Sequence, residues 1–196
     1  MSNIVNIDGK LKCEFGKNLV GLIMPALETV KGDIYLRKNS NLALVELDAL
    51  TTVEKRVHVD QNPKLLSFSA KALRNVVKDF TFYKNQELNI ITVNALEKVH
   101  GYYFSVRENG ALEKLEVPSL QTVDGNMWIK LNPKLRTVTI NELQTVNRSL
   151  EIQGNRELRN VTMNVLQSIG NHAEIANNTE LRRVEWLHMK KLGNRV

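Results

Sequence analysis

The chain of 196 residues has one cysteine and few prolines and aromatic residues, and it lacks any long apolar run. The single cysteine, Cys13, excludes an intramolecular disulfide framework and any metal site built from several cysteines. No stretch approaches the about 20 apolar residues of a membrane-spanning helix. No phosphate-binding loop, dinucleotide fingerprint or zinc-protease motif occurs. The sequence therefore predicts no membrane span, no cofactor and no bound metal.

The overall composition is that of an ordinary globular domain, with 42% hydrophobic and 24% charged residues. The net charge of +6 is compatible with an acidic partner but does not require one. Residues 1–12 alternate polar and apolar side chains and contain no continuous apolar segment of the kind found in secretory signals. The sequence as it stands predicts a cytoplasmic protein, or a secreted or cell-surface one if a leader has been removed.

A repeat of 23 residues runs almost from end to end of the sequence, and missing it would misassign the whole fold. One unit carries an extra residue, near Tyr102 and Tyr103. We expect a single repeat domain over residues 3–196, with units at about 3–25, 26–48, 49–71, 72–94, 95–118, 119–141, 142–164 and 165–187 and a partial unit at 188–196.

The spacing inside each unit favours short strands, because apolar residues alternate with period two, as in Val30-x-Gly32-x-Ile34-x-Leu36. No unit contains the ten or more residues of helical periodicity that a helix needs. Identical units of this kind bury their apolar faces only by stacking on one another. We predict an all-β fold, a right-handed parallel β-solenoid with coils about 4.8 Å apart and a length of roughly 40 Å.

Two positions that recur in the repeat are predicted to have structural roles. A glycine that nearly repeats (Gly9, Gly32, Gly101 and Gly125) predicts a turn with positive φ. An asparagine that recurs in seven units is predicted to point inward at a corner and to satisfy backbone groups there. The asparagines are Asn39, Asn62, Asn85, Asn109, Asn132, Asn155 and Asn178.

The pattern Ala-Leu-x-x-Val-x-Gly-x-Ile-x-Leu-x-x-Asn-x-x-Leu-x-x-Val resembles the receptor L-domain family, which is related in style to the leucine-rich repeats. The resemblance covers essentially the whole chain, and the residues that carry it are structural. The resemblance implies a β-solenoid fold and a general ligand-binding or partner-binding role. Receptor L domains are usually disulfide-capped and secreted, so the receptor role does not transfer to a chain with one cysteine.

Function is expected on the outward positions of the strands, which lie between the apolar ones. The residues Tyr83, Tyr103, Arg107, Trp128 and Lys130 fall on one outward face of adjacent units. Exposed Tyr, Trp and Arg dominate binding hot spots. The same rings could instead cover the extra residue or the sheet beneath, and the sequence favours neither interpretation. The leading hypothesis is a non-enzymatic recognition or scaffold module that binds a protein, or alternatively a glycan.

A possible basic stripe is a second binding candidate. Arg136, Arg159 and Arg182 occupy the same position in three consecutive units, with Arg183 beside the last. Such a stripe suits nucleic acid or an acidic protein. It lacks the aromatic platform that nucleic-acid readers usually add, and Glu157 and Glu180 could neutralise it, so a nucleic-acid partner is disfavoured.

Two alternative functions stay open. A carbohydrate-active β-helix enzyme could use the stacked carboxylates of Glu151 and Glu174, which lie near Ser149 and His172 in the repeat. No loop is long enough to wall off a cleft, so the leading hypothesis assigns no catalytic residue. The chain could also be a spacer or assembly module whose end coil stacks on a second copy, giving an end-to-end homo-oligomer.

Overall fold

A computed structural model describes residues 3–193 and shows an all-β chain that winds into a solenoid of about eight coils. A typical coil contributes one strand to each of three faces, and neighbouring strands pair in parallel at a separation of 23 or 24 residues. This confirms the predicted fold class, although the right-handed sense of the coil stays a prediction. Within residues 3–193 there is no helix of the length and apolarity needed to cross a membrane. Residues 194–196 of the predicted partial unit lie outside the described residues.

The first face is a sheet of nine two-residue strands. In its middle strands the second residue is a buried Val or Ile, and the first is partly exposed or, at Lys98, exposed. The strands are Asn6–Ile7, Thr29–Val30, Thr52–Val53, Asn75–Val76, Lys98–Val99, Thr122–Val123, Thr145–Val146, Ser168–Ile169 and Lys191–Leu192.

The second face is a sheet of eight longer strands, and it carries the predicted binding residues. Burial alternates along three of these strands, in which one side packs on the core and the other faces outward, and outward residues of the middle strands are also buried. The strands are Leu11–Glu14, Ile34–Arg37, Val57–Asp60, Phe80–Tyr83, Tyr103–Arg107, Asn126–Lys130, Leu150–Gln153 and Ala173–Ala176.

The third face is divided into two four-stranded sheets, and the division falls between the coil that carries the extra residue and the coil before it. One sheet contains Gly21–Ile23, Leu44–Glu46, Ser67–Ser69 and Ile90–Thr92. The other contains Lys114–Glu116, Thr137–Thr139, Asn160–Thr162 and Arg183–Glu185.

The inward side chains of all three faces form one continuous apolar core. Phenylalanines fill its middle, where the Phe80 and Phe104 rings stack with centroids 5.2 Å apart and Phe68 meets Phe82 edge to face at 5.0 Å. The end coils are more open, because inward residues such as Leu22 in the first coil and Ile175 in the last are only partly buried. Cys13 lies in the first coil and is half-buried, so it is less enclosed than a fully inward position predicts.

The recurrent asparagines form a continuous hydrogen-bonded ladder inside the solenoid. The backbone N–H of Asn132 donates to Asn155 Oδ1 at 3.0 Å, and its Nδ2 donates to the same oxygen at 3.2 Å and to the Val106 carbonyl at 3.0 Å. The pattern repeats from Asn39 onward, and at the first coil the Gly16 N–H donates to Asn39 Oδ1. The predicted structural role of these residues is confirmed.

The predicted positive φ of the recurrent glycines is wrong. The left-handed conformation, with positive φ, instead occurs at the residue just before Gly16 and just before each ladder asparagine. Within residues 3–193 eight residues have this conformation, and Gly154 is the one glycine among them. The others are Phe15, Lys38, Gln61, Lys84, Glu108, Leu131 and Asn177. Gly125 is needed for a close approach, because an added Cβ would lie 2.1 Å from the Tyr102 carbonyl oxygen of the preceding coil.

We expect Asn132→Ala to lower the free energy of unfolding by roughly 3 kcal/mol, because the substitution removes the acceptor of two buried Asn109 donors and the donor to the Val106 carbonyl. Urea unfolding followed by circular dichroism measures the change. The exposed Asn89 provides the matched control, and Asn89→Ala should change stability by less than about 0.5 kcal/mol. Equal losses for the two variants would contradict a structural role for the ladder.

Candidate functional site

The five predicted binding residues come together on the outer side of the second sheet. Tyr83, Tyr103, Arg107, Trp128 and Lys130 lie on three consecutive strands, and all five side chains are half-buried. The parallel register places Tyr83 beside Arg107 and Arg107 beside Lys130. We call this group the aromatic patch.

Rings and cations alternate across the aromatic patch. The Tyr103 and Trp128 rings are 4.4 Å apart between centroids, and the Arg107 guanidinium lies 5.0 Å from the Tyr83 ring and 5.3 Å from the Trp128 ring. Lys130 Nζ lies 4.9 Å from the Trp128 centroid. Each cation–ring contact contributes about 0.5–2 kcal/mol, so the rings and cations hold one another in place.

The aromatic patch also shields the sheet beneath it. Ser105 occupies an outward position but is only 2% exposed, and its Oγ accepts a hydrogen bond from Arg107 Nε at 2.9 Å. Thr81, one coil earlier in the same column, is 8% exposed. The two interpretations that the sequence left open are therefore compatible, because the rings cover small polar residues and still expose part of their surface.

Glu151 anchors one side of the aromatic patch, a role that sequence analysis missed. Its Oε1 accepts a hydrogen bond from Trp128 Nε1 at 2.9 Å, and its Oε2 lies 2.5 Å from Lys130 Nζ. Partial burial acts to raise the pKa of this carboxyl, but the hydrogen bond and charge of Lys130, with smaller contributions from Trp128 and His172, lower the pKa below its ordinary value. The signal was present in the repeat, because Trp128 and Glu151 occupy one column in successive units.

The predicted carboxylate pair is formed, since Glu151 and Glu174 are register partners. With His172 they make a cluster whose ligand atoms lie within 4.8 Å of one another, and Ser149 Oγ lies 3.0 Å from His172 Nδ1. Both oxygens of Glu151 are already engaged by Trp128 and Lys130. A divalent cation bound by all three residues would therefore compete with Trp128 and Lys130 for the Glu151 carboxylate.

The predicted basic stripe lies away from the aromatic patch, at the edge of the third face. Arg136, Arg159 and Arg182 stack through backbone hydrogen bonds of 2.9 Å between successive coils. Carboxylates lie near most of these cations: Arg136 contacts Glu113 and Glu157 at 3.3 and 3.1 Å, Arg182 lies 3.9 Å from Glu180, and Arg183 lies 2.5 Å from Glu185. The stripe is consequently less basic than its arginines alone indicate.

Searches against protein-family models, curated proteins and solved structures find no match to the chain. The β-solenoid architecture therefore rests on the strands and their register, and function is argued from the surface chemistry described above.

The Glu151→Gln substitution is expected to weaken the acid dependence of stability. A carboxyl whose pKa is lower in the folded state stabilises the protein above its unfolded-state pKa, near 4.5, and loses this contribution as the pH falls through the lower folded-state pKa. The free energy of unfolding of the wild type should thus fall more steeply below pH 4.5 than that of the variant. Urea titrations at successive pH values measure both slopes.

Lys130→Met supplies the control for this prediction, because it removes the main group that lowers the pKa of Glu151. Lys130→Met should reduce the dependence of the free energy of unfolding on acid pH to about the same extent as Glu151→Gln does. Identical slopes for the wild type and Glu151→Gln would contradict the assigned ion pair.

Proposed function

We propose that the chain is a non-enzymatic recognition module that binds a protein partner, or alternatively a glycan, through the aromatic patch. The observation that carries the proposal is the grouping of three aromatic rings and two cations on one open sheet face. Tyr, Trp and Arg are the residue types enriched in binding hot spots. The resemblance of the repeat to receptor L domains points in the same direction.

The organisation of the aromatic patch suits binding, because its side chains are ordered by one another. Arg107 is held between Tyr83 and Trp128, and Trp128 is fixed by Glu151. A partner then immobilises fewer free rotamers, which lowers the entropic cost of association. Tyr and Trp also combine an apolar face with a polar edge, as interface residues commonly do.

The environment of Glu151 argues against the alternative of a carbohydrate-active enzyme. A general acid in glycoside hydrolysis needs a raised pKa to stay protonated near neutral pH. The pKa of Glu151 is lowered by Lys130, and its oxygens are occupied. The carboxylates of Glu151 and Glu174 lie on regular strands that pair in parallel register.

Assembly through the end coils is a second candidate, favoured by the incomplete burial of their core residues, such as Leu22 and Ile175. The asparagine ladder argues against simple head-to-tail stacking of two copies. The last coil contributes Asn178 to the ladder, whereas the first coil has Gly16 in that position and offers no carboxamide oxygen. A copy stacked in this way would not continue the ladder.

The proposal is tested by replacing Tyr83→Ser, Tyr103→Ser and Trp128→Gln together. Affinity capture from a lysate of cells that express the chain, followed by mass spectrometry, should show about tenfold or greater loss of the retained partner, because hot-spot residues cost 2 kcal/mol or more each. The matched control combines Arg136→Gln, Arg159→Gln and Arg183→Gln on the third face, and it should retain the partner.

Circular dichroism establishes that each variant is folded, and Tyr83→Ser alone serves as a milder change. Protease and glycosidase treatment of the captured material distinguishes a protein partner from a glycan. Retention of the same partner by the folded patch variant would overturn the proposal. If the wild type and all variants capture only a second copy of the chain, the result would favour assembly instead.

A further inference from the structure

The extra residue of the repeat is Tyr102, and it lies at a corner between the first and second faces. Gly101 continues the stack, because its N–H donates to the Lys78 carbonyl at 3.1 Å. Tyr103 resumes the regular pattern, because its N–H donates to Asp79 Oδ1 at 3.0 Å, as the Arg56 N–H does to Asp33. Tyr102 therefore has no counterpart in the other coils, and it is 63% exposed.

An open notch of about 430 Å³ lies beside this inserted residue. Its apolar lining includes Tyr102 and Val77, which is 43% exposed. The Arg148 guanidinium lies 4.9 Å from the Tyr102 ring centroid, so a cation is fixed at the edge of the notch. A volume of this size is within the range of ordinary small-ligand sites.

The notch carries more positive than negative charge. Arg56, Lys78 and Arg148 contribute three cations to its lining, against the carboxylates of Asp79 and Asp124. Both carboxylates are engaged. Asp79 lies 3.6 Å from Arg56 and accepts from the Tyr103 N–H.

Asp124 lies 2.9 Å from His100 Nδ1 and accepts from Asn147 Nδ2 at 3.0 Å. Within residues 3–193, no carboxylate lies within 4.0 Å of Lys78 or Arg148. Lys78 and Arg148 are thus available to bind an anionic group.

We infer that this notch is a second binding site, separate from the aromatic patch, for an acidic sugar residue that carries a carboxylate or a sulfate. Arg148 can pair with the anionic group through two parallel N–H donors, and Lys78 adds a point charge. Each carboxylate oxygen of Asp79 and Asp124 has a second lone pair, so both residues can still accept hydrogen bonds from the hydroxyl groups of the sugar. The exposed ring of Tyr102 supplies apolar surface for the C–H face of the sugar.

The mixture of donors and acceptors favours a sugar monoanion over a phosphate group. A phosphate monoester carries close to two negative charges at neutral pH and has only acceptor oxygens when ionised, so it would be repelled by the two aspartates. A hydroxyl-rich monoanion uses the same aspartates as hydrogen-bond acceptors. The notch also lacks the stack of several aromatic platforms that single-stranded nucleic acids use.

Isothermal titration calorimetry of the full chain tests the inference with four probes: a galacturonic acid oligomer, its methyl-esterified neutral form, a sulfated heparin-type oligosaccharide and sodium sulfate. We expect the chain to bind at least one of the two acidic oligosaccharides and to bind the neutral form about tenfold more weakly, the loss of one charge-assisted contact. Comparison of the two acidic probes identifies whether the carboxylate or the sulfate is recognised.

Arg148→Gln and Tyr102→Ala should each weaken that binding about tenfold, whereas Arg74→Gln, which removes an exposed arginine outside the notch, should leave it within about twofold. Lys78→Gln replaces either variant if circular dichroism shows that the variant is unfolded. Three results would overturn the inference: no binding of either acidic oligosaccharide, equal binding of sulfate alone, or an equal loss with Arg74→Gln. Because these variants leave the aromatic patch intact, the outcome is independent of the partner-capture experiment.

Discussion

The stacking of one asparagine on the next is the interaction on which the rest of the solenoid depends. Each buried carboxamide joins the coil before it to the coil after it, as Asn132 does between the Val106 carbonyl and Asn155. The apolar core favours stacking but would tolerate many registers, because Leu, Val and Ile recur throughout. A buried polar group tolerates only the register that satisfies it, so the ladder selects the arrangement in which equivalent positions align.

Alignment of the coils determines the surface chemistry. Because equivalent positions stack about 4.8 Å apart, residues separated by one unit in sequence become neighbours on the outer face. Arg107 thereby meets Tyr83, and Trp128 meets Glu151. The coil with the extra residue preserves the ladder, since the Asn85 N–H still donates to Asn109 Oδ1 at 3.2 Å across a separation of 24 residues. The insertion is absorbed at the Tyr102 corner, so the outer surface can vary while the core stays regular.

The repeat made the coil boundaries, the inward asparagines and the outward columns predictable from sequence. The left-handed residue before each asparagine was not predictable, because Lys38, Gln61 and Leu131 carry no glycine-like signal and are held in that conformation by the stacked coils. The glycine positions were misinterpreted for a related reason. Gly125 is required by the closeness of Tyr102 in the neighbouring coil, a distance that no local pattern encodes.

The candidate sites were also predictable from the sequence only in part. The column positions of Tyr83, Arg107 and Trp128 followed from the period, but the contacts of Glu151 and the notch beside Tyr102 depend on side-chain directions that the period does not specify. The most direct test of the central claim is hydrogen exchange of the carboxamide protons of the interior ladder asparagines, followed by NMR. If the ladder sets the register, these protons should exchange only through global unfolding, far more slowly than those of the exposed Asn89. Exchange at the rate of Asn89 would contradict the account.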